Sequence, residues 1–203
     1  EALLAQAREL EADLLSHRDL GRLNVGATLT IGNYLAVGIM ADYMAEQPGA
    51  RVHLEVANTR TIVERVLAFE LDLGLIEGEL NHPDLELLPW LEDELVVFCS
   101  PSHPLAGKEA LTDEELRAAH WIVRESGSGT RQTFERALHG LVPELDLALE
   151  LEHTEAIKRA VETGLGISCL SRVCLREAFT RGSLVELPVP HRDFSRDFYF
   201  VLH

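Results

Sequence analysis

From Gly21 onward the chain alternates short apolar runs with segments of helical periodicity, and this restricts it to an α/β fold built of βαβ units on a mainly parallel sheet. Residues 23–27, 52–57 and 71–76 read as strands, with helices expected over 31–47 and 60–69. Pro48-Gly49 ends the first helix, and Ile62, Val63, Val66 and Leu67 give the second an apolar face. A second series begins at a strand over 94–99, closed by Pro101 and Pro104 and read as a passage between two lobes. Thr112 and Glu115 form a capping box for a helix ending near Ala119. Strands over 121–124, 147–151 and 167–170 then alternate with helices over 129–138, 155–163 and 173–180, and strands over 184–187 and 198–202 close the chain. Two such series joined by a crossing strand, with a late strand returning, describe two lobes around a cleft. In open α/β sheets, ligands sit outside the carboxyl ends of the strands, where helices begin.

Residues 1–20 differ. They contain no Gly or Pro, and Leu3, Ala7, Leu10, Leu14 and His17 recur on alternating four- and three-residue steps. That spacing is a coiled-coil seam, suited to a partner helix and hence to a dimer; a terminal helix lying on its own domain is the alternative.

Charge narrows the partners. A formal charge of -16, from 34 acids against 18 bases, repels a phosphate backbone, so these residues alone are not expected to bind nucleic acid. The same charge argues against an anionic membrane surface, and no apolar run approaches the ~18 residues that span a bilayer. Cys99, Cys169 and Cys174 lie in or beside apolar runs, as buried reduced thiols of a cytoplasmic protein would.

Three helix starts carry the candidate binding residues. In WIVRESGSGTRQTFERAL a strand ends and Ser126, Gly127, Ser128, Gly129 and Thr130 lead into a helix. Small residues there let a ligand approach backbone N–H groups without intrahelical partners, where the helix dipole favours negative charge. The segment is neither a Walker loop nor a nucleophile elbow, and an ordinary capped turn would look the same. Thr28 and Thr30 follow the first strand and Asn58 and Thr59 the second; capping explains such residues as readily as ligand contact. Arg60 reads equally as a surface charge, and Thr61 with Glu64 as a capping box. The nine histidines are scattered without metal-ligand spacing, so no metal and no cofactor are expected. Acidic clusters such as Glu92-Asp93-Glu94 read as a solvated face, and no nucleophile–base set stands out, so no catalytic residue is assigned.

Taken in order, GRLNVGAT, Tyr34 with Gln47-Pro48, VANTRTIVERVLAFELDLGLIEG, DELVVFCSPSHPLA, WIVRESGSGTR and AIKRAVETGLGISCLSR resemble the effector-binding domain of LysR-type transcriptional regulators. The likeness is greatest to the branch that includes regulators of sulfur and one-carbon metabolism. The resemblance implies a fold like that of type II periplasmic binding proteins, with two Rossmann-like lobes joined by two hinge strands. It implies lobe I from residues 21–96 plus 198–203 and lobe II from residues 97–197, with residues 1–20 the end of a dimerising linker helix. A winged helix-turn-helix upstream of residue 1 would supply all DNA contact, and family members usually add a final helix to the first lobe beyond the point matching His203. A small-molecule effector, anionic by the chemistry of the helix starts, would lie between the lobes against Thr28, Thr30, Asn58, Thr59 and residues 126–130, with Thr154 a further candidate. The regulator would act as a homodimer or homotetramer. A free solute-binding protein of a transporter, or an enzyme on the same scaffold, would share the fold.

Overall fold

The computed structural model describes residues 22–203, so the coiled-coil seam expected over residues 1–20 lies outside the described part. Strand β1 (Arg22–Thr28) leads through a short helix α1 (Leu29–Ile31) and a π-helical turn (Gly32–Ala36) into α2 (Val37–Glu46). Then follow β2 (Arg51–Ala57), α3 (Thr59–Leu67), β3 (Leu73–Glu77) and the long β4 (Glu86–Cys99). The next elements are α4 (Asp113–Ala118), β5 (His120–Arg124), α5 (Gly129–Ala137), β6 (Asp146–Leu151), α6 (Thr154–Glu162) and β7 (Ile167–Ser171). Helix α7 (Arg172–Arg181), β8 (Val185–Leu187) and β9 (Ser195–Leu202) complete the chain.

The strands form the path β2-β1-β3-β9-β4-β7-β5-β6, with β8 also paired to β4. Pairing is parallel within β2-β1-β3 and within β7-β5-β6, as right-handed crossovers through helices demand. The antiparallel strands β4 and β9 join the two groups. Residues 86–94 of β4 pair with β9, whereas residues 95–99 pair with β7 and β8. One continuous strand therefore serves both halves of the molecule. β9 runs beside it, and its residues 198–201 also pair with β3.

Side chains alternate across each sheet, so each half packs helices on both faces. Trp121 and Val123 face a cluster with Leu116, Phe134 and Leu138, while Ile122 between them faces Phe98, Ile157 and Leu175. In the first half, Val25, Ala27 and Leu75 pack with Ile31 and Phe198, and Ile76 packs on the other face with Ile62 and Val66. Each fully buried side chain of this kind contributes roughly 1.5–3 kcal/mol.

Two expectations need correction. The hinge strand begins at Glu86 rather than Glu94, because the solvent-facing residues of LPWLEDE are held by pairing with β9 and carry little alternation of their own; Pro89 stands at a register shift. The cap of α3 is Asn58, whose Oδ1 accepts the Thr61 N–H at 3.0 Å, so Thr61 and Glu64 form no capping box.

Candidate functional site

Five helices start at the carboxyl ends of strands, and their first polar side chains divide into two kinds. Asn58, Ser128 and Ser171 accept the backbone N–H of Thr61, Arg131 and Val173 and thereby cap their helices. Thr28 stands at a cap position without a capping bond, and Thr30, Thr130 and Thr154 lie inside their helices; all four are at most 2% exposed. A buried hydroxyl without a partner costs about 1–3 kcal/mol, so where these four find partners decides what the site is.

Thr28, Thr130 and the end of β3 converge. The Thr28 hydroxyl donates to the Glu77 carboxylate, and the Thr130 hydroxyl lies 3.4 Å from its other oxygen. Arg196, on β9, places Nη1 3.1 Å from the Thr130 hydroxyl and 3.7 Å from Glu77, while its Nε donates to Asp93 of β4 at 2.7 Å. The Ser171 hydroxyl donates to the other Asp93 oxygen at 2.7 Å. Glu77, Asp93 and Arg196 are 2% exposed or less at their side chains. The result is a buried polar seam between the halves, crossed by both hinge strands, in which two carboxylates face one guanidinium.

Buried polar atoms without a partner among the described residues include Arg196 Nη2 in the seam, the Thr154 hydroxyl at the start of α6 and Arg124 Nη1 at the end of β5. On α6, Lys158 lies one turn beyond Thr154 on the same buried face. Its ammonium donates to Glu155 at 2.7 Å and to the Tyr34 hydroxyl of the first half at 3.2 Å, and Tyr34 in turn donates to Glu155. Burial would raise the Glu155 carboxyl, but the hydrogen bonds from Lys158 and Tyr34 outweigh it and hold the group below its usual range. Burial, reinforced by Glu155, drives the Tyr34 phenol far upward, so it stays a donor. Burial likewise pushes the Cys174 thiol up to about 12 and Cys99 up to about 11. All three cysteines are free and buried, and these two hold their protons at neutral pH.

The remaining expected residues form an outer rim. Thr59 accepts the Gly129 N–H at 3.1 Å and donates to the Glu77 carbonyl at 3.1 Å, stitching the end of β3 to the start of α5. Only glycine fits at position 129, since a Cβ there would overlap the Glu77 backbone. Arg60 reaches the Ser126 hydroxyl at 3.5 Å and the Gly127 carbonyl at 3.2 Å. Thr59 and residues 126–129 line an outer pocket of about 450 Å³ together with Arg60 and Arg131. A larger groove of about 800 Å³ borders the hinge strands, but Arg136, Arg172 and Arg192 there are already paired with Glu79, with Glu94 and Glu186, and with Asp113. Asp93 and Arg196 line it as well, so the groove borders the seam.

Sequence reasoning missed Glu77, Asp93, Arg196, Lys158 and Tyr34 as members of the site. Asp93 read as part of a solvated acidic face; the one available signal was an acid, Glu77, ending the apolar run of β3 just before Gly78. Among the described residues there is no group of three His, Cys, Asp or Glu side chains able to hold a metal, and no helix long and apolar enough to cross a membrane.

Comparison with known proteins accords with this architecture. The family model described as LysR substrate binding domain matches residues 16–203. Over 202 residues the chain is 42% identical to the uncharacterized HTH-type transcriptional regulator YeiE of Escherichia coli K12, covering 100% of this chain and 68% of that protein. It is 34% identical over 173 residues to the HTH-type transcriptional regulator CysL of Bacillus subtilis, covering 83% of this chain and 57% of that protein. The CcmR regulatory domain of Synechocystis PCC6803, solved in complex with 2-PG, matches at 32% identity with a TM-score of 0.81, covering 89% of this chain and 86% of that one. The effector binding domain of QuiR, solved with shikimate, shares the fold at 19% identity with a TM-score of 0.80, covering 90% of this chain and 87% of that one. The fold is thus the two-lobed, periplasmic-binding-protein-like fold of these domains, with β4 as the strand that pairs in both lobes. The chain belongs to the LysR substrate-binding domain family of transcriptional regulators.

Proposed function

We propose that the seam around Thr28, Thr30, Thr130 and Glu77 is the effector site, and that it receives a small anion or carboxylate. The observation that carries this reading is a buried guanidinium nitrogen without a partner, Arg196 Nη2, beside hydroxyls now engaged by the chain's own Glu77 carboxylate; the Thr154 hydroxyl at the start of α6 is unpartnered as well. Glu77 occupies the seat an anion would take. An effector therefore shares that seat by bringing a proton to the carboxylate or by displacing it, because two anions at hydrogen-bond distance are not both tolerated in a buried site. Thr59, Ser126, Gly127, Ser128 and Gly129 form the rim on which the lobes close, and Asn58 serves by capping α3.

In this reading lobe I comprises residues 21–96 with 198–203 and lobe II residues 97–197, supported by the change of partners along β4 between Glu94 and Leu95. The effector shifts the lobe equilibrium because it touches both lobes in only one of the two states. The wider protein reads as a cytoplasmic, non-enzymatic regulator that contacts DNA through a separate upstream domain and assembles as a homodimer or homotetramer. One surface favours self-association: α2 has no buried residue, and Val37, Ile39 and Met44 are exposed on it beside Val56 of the edge strand β2.

Calorimetric titration with sulfate, phosphate and small carboxylates tests the site. Removing a hydroxyl that serves an anion costs about 1.5–3 kcal/mol, so Thr28→Val and Thr130→Val should each weaken the best-bound anion by roughly 10- to 100-fold. Unchanged affinity in both variants would place the effector elsewhere.

A further inference from the structure

The seam holds a second anion seat, and a carboxylate of the chain fills that one too. Lys158 is a buried cation, its side chain 9% exposed, and its partners are Glu155 and the Tyr34 hydroxyl, with its ammonium 5.5 Å from the Tyr34 ring centre. Tyr34 comes from lobe I and Lys158 from lobe II, so the seat exists only where the lobes meet. The Thr154 hydroxyl, 1% exposed and without a partner, stands one helical turn before Lys158 on the same face of α6. Tyr34 follows Thr30 by four positions in the contiguous helical segments Leu29–Ile31 and Gly32–Ala36, so one element after β1 carries residues of both seats.

The two resident carboxylates differ in how readily they leave. The Glu77 side chain is 1% exposed and enclosed by both lobes, whereas that of Glu155 is 59% exposed at the first turn of α6 and can rotate into water without opening the fold. Glu155 leaves behind a buried ammonium, a phenol donor and the Thr154 hydroxyl, the donor set of a carboxylate or oxyanion subsite. Lysine presents a compact, rotatable point charge, so the seat does not demand one planar geometry from its occupant.

Resting on the reading of the seam as the effector site, we propose that Lys158, Tyr34 and Thr154 are specificity-determining residues: they receive a second anionic group of the effector in exchange for Glu155. The effector is then a small acid with two anionic groups, one held by Thr28, Thr130 and Arg196 and the other by Lys158. Because Tyr34 and Lys158 belong to different lobes, the second group also favours the closed state.

The test titrates the chain calorimetrically with matched probes, methanesulfonate against sulfoacetate and acetate against malonate or succinate. The wild type should bind at least one two-group probe about tenfold or more tighter than its one-group partner, the usual effect of a charge-assisted bond. Lys158→Met should bring the two-group probe down to the affinity of the one-group probe, with Tyr34→Phe acting in the same direction while keeping the ring. Glu155→Gln should tighten the two-group probe, since it weakens the internal competitor; a merely structural latch would not gain affinity from that change. Equal binding of matched probes to the wild type overturns the second seat while leaving the effector site standing. So does a Lys158→Met variant that loses both probes alike, or a Glu155→Gln variant that binds the two-group probe more weakly. If the wild type binds neither class of probe and no other anion, the effector-site reading itself fails and the second seat falls with it.

Discussion

Trp121 and Thr130 are both almost completely buried, at 0% and 2% exposure, yet their surroundings have opposite character. The Trp121 indole packs edge-on against Phe134 at 5.0 Å between ring centres, and its N–H donates to the Leu116 carbonyl at 2.8 Å. The one polar atom of that side chain is thus satisfied. Thr130 instead lies among Glu77 and Arg196, in a seam where Arg196 Nη2 lacks a partner. Apolar cores inside each lobe fix shape, while the polar surface between the lobes keeps unspent bonding capacity that a ligand or water can take up. Closure of the lobes is therefore the step open to outside control, and unfolding of a lobe is not.

Variants that separate the two regions sharpen this contrast. The largest effect belongs to the core: Trp121→Ala removes a fully buried ring and should cost about 3–5 kcal/mol in urea unfolding, leaving anion affinity of the folded protein unchanged. Next comes Arg196→Met, which leaves Asp93 and Glu77 buried without their cation. It should cost about 3 kcal/mol, and a double variant with Asp93→Asn should recover part of that loss. A neutral Arg196→Met would mean that the seam is already open to water. Asn58→Ala should cost about 1 kcal/mol by uncapping α3, with no change in anion affinity because Asn58 faces its own helix.

The smallest effect is a pH response at the edge of lobe II. Hydrogen bonds from Arg192 and then His191 hold the Asp113 carboxyl down at about 2. A depressed carboxyl contributes stability that is fully present above its unfolded value of roughly 3.9 and is lost as pH falls toward 2. Asp113→Asn should flatten that part of the acid unfolding curve. An identical curve in the variant would assign the acid transition to other carboxylates, those of the seam included.

How much was legible in the sequence follows the same division. Residues 71–76, 121–124 and 167–170 announced themselves as strands because burial on both faces selects continuous apolar runs, and β3, β5 and β7 lie over those positions. The first part of β4 did not, since Leu88 and Leu91 are exposed and its order comes from pairing with β9. At the site, the helix starts were readable from their Ser, Thr and Gly content. Which hydroxyls cap and which face the seam was not, because Ser128 and Thr130 differ in orientation, not in type. Arg196 lies 66 positions from Thr130, and Lys158 lies 124 from Tyr34; only the tertiary fold brings such charges together.

Hydrogen exchange measured with and without a saturating anion, using sulfate and succinate as probes, tests the central claim most directly. If an anion closes the lobes over the seam, amides at residues 28–31, 128–132 and 154–158 should exchange more slowly in its presence, while those of β5 stay unchanged. Protection confined to the outer rim around Arg60 and Gly127, or spread evenly through both cores, would contradict an effector site in the seam.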